Sequence, residues 1–366
     1  MRRRILTALA AVLVLGGCAT TPRQDAGELA IGKSVTPLPE GVTLLRSARG
    51  APQLVTARGQ ARVQPAVAID AQTRFLIGSI SKWITTVAVL RLADQGRIDI
   101  DQPITTWLPE LPPASRAVTL RHLLSNTSGI PNGLAQALRQ DRAAVEASTL
   151  TPLEGALRYG TGAPAFAPGS RFDYSFTNWV IVGGIVERVA REPFQQAITR
   201  LVLQPAGVRD TGFADAAWES MPHAALAYAR DKSTRKTSAM PPMVAASGTL
   251  YSTAADLLAI ADAVYAGGLL SSKARQELLT VQHAPEDYAL GGRVREIGNV
   301  SGNVSGRGSG KRTVVWNSGV FGGYKTLLVY APADGAAAVL MNNTDIEQSE
   351  QRQLAETLLD KLLQAR

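Results

Sequence analysis

Phe75-Leu76-Ile77-Gly78-Ser79-Ile80-Ser81-Lys82-Trp83 is the stretch on which the reading of this chain turns. An apolar, extended run ends at Gly78, and Trp83-Ile84-Thr85-Thr86-Val87-Ala88-Val89-Leu90 continues as a buried helix. Between them stand a serine and a lysine three positions apart, which on a helix share one face with Cβ atoms about 5–6 Å apart. A lysine partly withdrawn from water can give up its proton near neutral pH and activate the serine hydroxyl. The helix N-terminus adds backbone N–H donors and the positive end of a dipole beside the same oxygen. These parts suit acyl transfer. The same spacing recurs at Ser233-Thr234-Arg235-Lys236, but that copy lies in a polar run, Arg230 to Ser238, with no apolar strand or helix to hold it, and reads as chance.

Around this segment the texture changes in a telling order. Gly41 to Val63 reads as two short strands about Arg49-Gly50, and Arg74 to Gly78 as a third extended piece. The Ser79 helix runs to about Asp94, where Gln95-Gly96 stops it. From there to about Met240 the chain is helical and loop-rich. One helix starts at Val118-Thr119-Leu120 and is broken by Asn126-Thr127-Ser128-Gly129-Ile130-Pro131; others span Asn178 to Val189 and Pro193 to Leu203. After Pro241 comes a helix from Thr253 to Ala266, capped by Ser252 or Thr253. Strand-like runs follow at Arg312 to Trp316, Tyr324 to Tyr330 and Ala336 to Met341, then a last helix from Ser349 to Leu363. The expected fold is α+β. An antiparallel sheet flanked by helices is built from both ends of the chain, residues 32–98 and 241–366, with a mostly helical domain, 99–240, inserted between. Gly298 to Gly310 reads as a flexible hairpin loop. Its Gly308-Ser309-Gly310-Lys311 is not a phosphate loop, because Ser305 replaces the first glycine and Arg312 the final Ser or Thr.

The N-terminus reads as an export signal. Arg2, Arg3 and Arg4 precede an apolar stretch, Ile5 to Leu15, that is too short to span a bilayer. Leu15-Gly16-Gly17-Cys18 looks like a bacterial lipobox, which makes residues 1–17 a lipoprotein signal peptide and Cys18 the lipid-modified first residue. Ala19 at the next position resembles the pattern for outer-membrane sorting, with residues 18–31 as a polar tether and the body facing the periplasm. Cys18 is the only cysteine, so an intrachain disulfide is impossible. The formal net charge of +8, from 38 Lys and Arg against 30 Asp and Glu, falls to +5 without the three arginines of the signal. No dense basic tract or aromatic-interleaved basic patch points to nucleic acid. A hydrophobic content of 45% over 366 residues supports a substantial core. Only His122, His223 and His283 exist, none at metal-ligand spacing, and there is no Gly-x-Ser-x-Gly elbow. His122, at the head of a helix, fits a structural cap better than a base. Neither a Ser-His-Asp enzyme nor a metal hydrolase is expected, and no cofactor is implied.

Taken together, the blocks of this chain resemble the serine β-lactamase and penicillin-binding superfamily. The likeness is to the class C β-lactamase-like branch, which also holds D,D-peptidases and carboxylesterases. The likeness covers about residues 40–345. Besides Phe75 to Lys82 it includes Gln95-Gly96-Arg97-Ile98-Asp99 with Leu108-Pro109-Glu110, then Thr119 to Pro131 and Pro168-Gly169-Ser170-Arg171-Phe172-Asp173-Tyr174-Ser175. Gly183 to Glu187, Asp210-Thr211-Gly212-Phe213 and Ser247 to Thr253 follow in order. The resemblance implies that Ser79 is the acylated nucleophile, that Lys82 shares its proton and that Tyr174 is general base or proton relay. It implies an oxyanion hole from the backbone N–H groups of Ser79 and Val320.

Two departures mark this chain. The family's Tyr-x-Asn motif is here Tyr174-Ser175-Phe176, and Phe176 cannot hydrogen-bond a substrate amide. The third motif, normally Lys or His before x-Gly, is Asn317-Ser318-Gly319, which can donate a hydrogen bond but carries no charge. With Phe176, Asn317, Ser318 and Gly319 facing substrate, the expected reaction is hydrolysis of a small-molecule ester, amide or peptidoglycan-like substrate, of esterase or amidase/peptidase type, with esters and small amides favoured over carboxylate-bearing β-lactams. A true class C-type β-lactamase or D,D-carboxypeptidase is the neighbouring alternative. A degenerate, penicillin-binding-like envelope sensor is the non-enzymatic one. Oligomeric state is not legible.

Overall fold

The computed structural model describes residues 38–297 and 312–364. The signal, Cys18, the tether and the Gly298 to Gly310 loop lie outside these residues. The chain opens with β1 (Gly41–Arg46) and β2 (Gln53–Arg58), turned through Arg49 at φ 58°, and a small hairpin of β3 (Gln60–Arg62) and β4 (Val67–Ala68). Then β5 (Phe75–Leu76) runs through Gly78 into α1 (Ile80–Asp94). Nearly every side chain of α1 is buried, so it is covered on all faces and runs through the interior. Gly96 ends it at φ 67°, a conformation that costs glycine nothing.

The middle of the chain is helical: α2 (Leu120–Leu124), α3 (Gly133–Gln140), α4 (Arg142–Glu146), α5 (Pro152–Tyr159), α6 (Phe176–Ala190) and α7 (Phe194–Ile198). Three short strands follow: β6 (Gly212–Phe213), β7 (Ala227–Tyr228) and β8 (Arg235–Lys236). Next come β9 (Leu250–Ser252), α8 (Ala254–Tyr265), α9 (Ser272–Leu279), β10 (Arg293–Ile297), β11 (Arg312–Phe321), β12 (Tyr324–Tyr330), β13 (Ala337–Asn342) and α10 (Gln348–Gln364).

The main sheet has six antiparallel strands in the order β10-β11-β12-β13-β1-β2, so the first strand of the chain pairs with the last, Leu44 opposite Val339. All six residues of β13 are buried because both sheet faces are covered. Ala337, Val339 and Met341 face the core shared with α1 and α8, while Ala338 and Leu340 meet Ala355, Leu358 and Leu359 of α10. Arg46 of β1 holds Asp262 of α8 through two charge-assisted bonds of 2.7 and 2.6 Å. A three-stranded sheet, β5-β9-β6, carries the start of α1.

Several local expectations shift. The helix expected from Asn178 starts at Phe176, because Ser175 takes the extended N-cap conformation. The helix expected from Pro193 to Leu203 is α7 followed by a π-type turn, Thr199–Leu203. Strand β10 was not expected at all. The second Ser-x-x-Lys copy does hold a strand, β8, but its groups are occupied elsewhere: the Ser233 hydroxyl donates to Asp231, and Lys236 pairs with Asp345.

Candidate active site

Ser79 is the N-cap of α1, with φ −64° and ψ −8°. A serine there ordinarily turns its oxygen back to cap the first backbone N–H groups. This one makes no such bond, so its hydroxyl is left for other partners. Lys82 Nζ donates to Ser79 Oγ at 3.0 Å and to the Ser247 carbonyl at 2.9 Å. Its side chain is 1% exposed and its ammonium nitrogen sits 5.1, 5.7 and 5.9 Å from the ring centroids of Tyr174, Phe176 and Trp179. The Tyr174 hydroxyl reaches the same Ser79 Oγ at 2.9 Å. Nucleophile, amine and phenol thus converge on one oxygen.

Tyr174 is held in place by residues that sequence reasoning passed over. Asn126, at φ 56° in the turn after α2, is fully buried. Its carbonyl accepts from the Asp173 N–H at 2.8 Å, and its side-chain oxygen takes the Trp179 Nε1–H at 3.3 Å and the Ser175 N–H at 3.5 Å. The Asn-Thr-Ser-Gly turn was visible in the sequence as a helix break; its role as the anchor of the tyrosine loop was not. Asn178 does not stand in for the missing motif asparagine. It is buried, accepting from the Ser128 hydroxyl at 2.7 Å.

Burial raises the Tyr174 pKa, but the Lys82 charge, the Ser79 hydroxyl and Arg293 together outweigh it and leave the phenol below its ordinary value. A third of the residue is still open to solvent, and its hydrogen bond to Ser79 lies at the exposed mouth of the site. Tyr288, buried beside it, is pushed well above the ordinary value, by burial first and by Tyr174 second. One tyrosine of the pair is set up to exchange a proton and the other to keep it.

A cavity of ≈ 410 Å³ opens over Ser79, and its lining includes Lys82, Tyr174, Tyr288, Arg293, Asn317 and Ser318. Asn317 is 4% exposed and its side-chain N–H₂ has no hydrogen-bond partner, so it is an unused donor in the cavity wall. Phe176 lies on the rim with its ring 6.3 Å from Tyr174 in an edge contact. Gly319 is not in that lining; its contribution is steric. A Cβ on Gly319 would lie 1.9 Å from the Ile77 carbonyl oxygen, and one on Gly78 would lie 2.8 Å from the Val320 nitrogen. The two glycines let β11 and the Ser79 turn touch backbone to backbone, with the Val320 main chain against Gly78, the residue before Ser79. The Thr326 hydroxyl, donating to the Ile77 carbonyl at 3.0 Å, pins the same junction. Tyr288 and Arg293 were not anticipated, and only the packing of the C-terminal half brings them here.

The histidines stand apart from this cavity. His122 Nδ1 accepts the Thr119 N–H at 3.1 Å, completing a capping box at the head of α2. His283 packs on Phe172, and His223 lies 4.0 Å from Asp70.

Comparison with known proteins agrees with this architecture. A family model described as Beta-lactamase matches residues 34–362. The curated esterase EstB of Burkholderia gladioli is 38% identical over 155 residues, 39% of each chain. The chain spans about half the length, or less, of the curated relatives it matches. A crystal structure of a penicillin-binding protein from Bacillus halodurans superposes with a TM-score of 0.74 at 23% identity, covering 90% of this chain and 98% of the other. A D-stereospecific amidohydrolase from Streptomyces sp. gives 0.67 at 25% identity, covering 93% and 97%.

Proposed function

The chain belongs to the Beta-lactamase family, and from that membership and the geometry around Ser79 we propose that it is a serine hydrolase working through an acyl-enzyme on Ser79. The observation that carries the reading is the convergence of Lys82 Nζ and the Tyr174 hydroxyl on Ser79 Oγ, at 3.0 and 2.9 Å. Ser79 Oγ attacks the carbonyl carbon as its proton passes to the Tyr174 oxygen, whose basic form the Lys82 charge favours. In this reading the backbone amides of Ser79 and Val320 donate to the oxygen that gains charge. Tyr174 then protonates the leaving group, the bond to it breaks, and a water deprotonated by the same phenol oxygen releases the acid from Ser79.

Esters and small amides are the substrates this wall favours. Phe176 offers no hydrogen bond, and Asn317 offers a donor without a charge. The names of the esterase and the amidohydrolase above point the same way. A panel of p-nitrophenyl esters, nitrocefin and D-Ala-D-Ala peptides tests the ranking; nitrocefin turned over much faster than the esters would reverse it. A fluorophosphonate adduct on Ser79, lost in Ser79→Ala, tests the nucleophile. No adduct on a folded protein would leave a binding module instead. The N-terminal signal and lipobox pattern supports an envelope protein tethered by a lipid on Cys18 and facing the periplasm. Membrane fractionation of Cys18→Ser checks this, and retention of that variant on the membrane counts against it.

A further inference from the structure

Ser79 borders a second cavity, of ≈ 260 Å³, whose lining does not include Lys82. Its wall is mainly apolar, with Leu134 and Leu138 from α3, Val145 from α4, Phe176, Val244 and Phe321, and its polar members are Ser238, Ser247 and the ion-paired Arg142 and Glu146. Ser79 and Val320 line both cavities, so the two meet at the nucleophile. Leu134 and Val145 form a fully buried floor. Six large apolar side chains stand exposed among the described residues, and Tyr174, Phe176 and Val320 all border Ser79. Exposed apolar surface gathered at one cleft marks the place where an apolar ligand sits.

Proton chemistry decides which half of the substrate goes where. The leaving oxygen must collect its proton from Tyr174, which with Lys82 lines the larger, polar cavity and not the smaller one. The leaving alcohol therefore departs through the polar cavity, and the acyl substituent points the opposite way. Resting on the serine hydrolase reading, we propose that the apolar cavity is the acyl-group site and selects esters of apolar acids. A cavity of about 150 Å³ already takes up benzene, so ≈ 260 Å³ holds a phenylacetyl group or a straight acyl chain of about six to eight carbons. In the acylation step the Ser79 Oγ–acyl bond forms, the bond to the alcohol oxygen breaks, and the alcohol carries away the serine proton. Water then restores Ser79 and releases the carboxylic acid, with no redox change. Phe176 lines both cavities, so its apolar ring forms part of the wall between them.

The test is kcat/KM along p-nitrophenyl acetate, butyrate, hexanoate and octanoate with the full-length protein. A fully buried methylene is worth about fourfold, so partial burial predicts a rise of at least about tenfold from acetate to hexanoate. In Leu138→Trp, which fills the cavity, the hexanoate-to-acetate ratio collapses toward one; Val244→Phe gives the same readout from another wall. Acetate turnover and Ser79 labelling with a flat wild-type series overturn the acyl-site assignment alone. So does a series of alkyl acetates that gains more with alcohol length than the acyl series gains with acyl length. Absence of all ester turnover and of Ser79 labelling overturns the hydrolase reading beneath it.

Discussion

Replacing Tyr174 by phenylalanine isolates one oxygen. The ring keeps its edge contact with Phe176 at 6.3 Å and its place 5.1 Å from Lys82 Nζ, while the bond to Ser79 Oγ at 2.9 Å disappears. A partly exposed hydrogen bond contributes about 0.5–1.5 kcal/mol at most, and a chain of this size shifts its Tm by only a few degrees per kcal/mol. The variant is therefore expected to melt within about 3 °C of the parent. Activity behaves differently. A positioned proton relay contributes about 10²–10⁴-fold, or ~2.7–5.5 kcal/mol of barrier, so kcat/KM for p-nitrophenyl butyrate falls by that factor. The pH profile adds a second signature. Burial raises the Tyr174 pKa, but Lys82, Ser79 and Arg293 pull it below the ordinary value. The basic, deprotonated form then accumulates as pH rises, and the alkaline limb of the wild type levels off before the ordinary tyrosine value of about 10. Tyr174→Phe loses that limb. A variant within about threefold of the parent, with the same limb, would show that the phenol does not move the proton.

Lys82→Met removes the charge that lowers the Tyr174 pKa, so whatever activity remains has its alkaline limb moved up; it also strips the buried Ser247 carbonyl of its donor, costing about 1–3 kcal/mol in denaturant unfolding. Gly319→Ala places a methyl carbon 1.9 Å from the Ile77 oxygen. β11 must then move off the Ser79 turn, and kcat drops on the order of tenfold or more with a lowered Tm, since oxyanion donors are sensitive to position. The His122 pKa is lowered, by burial first and by Arg121 second. The unfolded chain then binds the proton more readily, so this stability is present above about pH 6.5 and is lost as pH falls through the folded value. Thermal scans are expected to decline more steeply on mild acidification in the wild type than in His122→Gln; parallel curves would remove the effect.

What could be read from the sequence was what is local. Ser79 and Lys82 are one helical turn apart, so spacing alone put them on one face, and α1 announced itself by the largely apolar run Trp83 to Leu90. The sheet strands Tyr324–Tyr330 and Ala337–Asn342 were equally plain because both sheet faces are covered. Tyr174 came from family resemblance, since nothing in the spacing from 79 to 174 implies contact. Strand β10 escaped because Arg293, Arg295 and Glu296 give it the look of a loop; only pairing with β11 fixes it. Arg293 and Tyr288 reach the cavity through that pairing, so they were illegible for the same reason. Gly319 was assigned to substrate, whereas its lack of a side chain is what β11 needs to pass Ile77. Such a requirement belongs to two segments at once and leaves no mark on either alone.

The bare contact of Gly78 with Val320, and of Gly319 with Ile77, has an evolutionary corollary. Reaction geometry is stored in main-chain atoms at that seam, whereas selectivity resides in replaceable groups on the surrounding helices. A lineage, or a laboratory library randomised at positions 138 and 244, can therefore explore new substrates without disturbing the machinery that cleaves them.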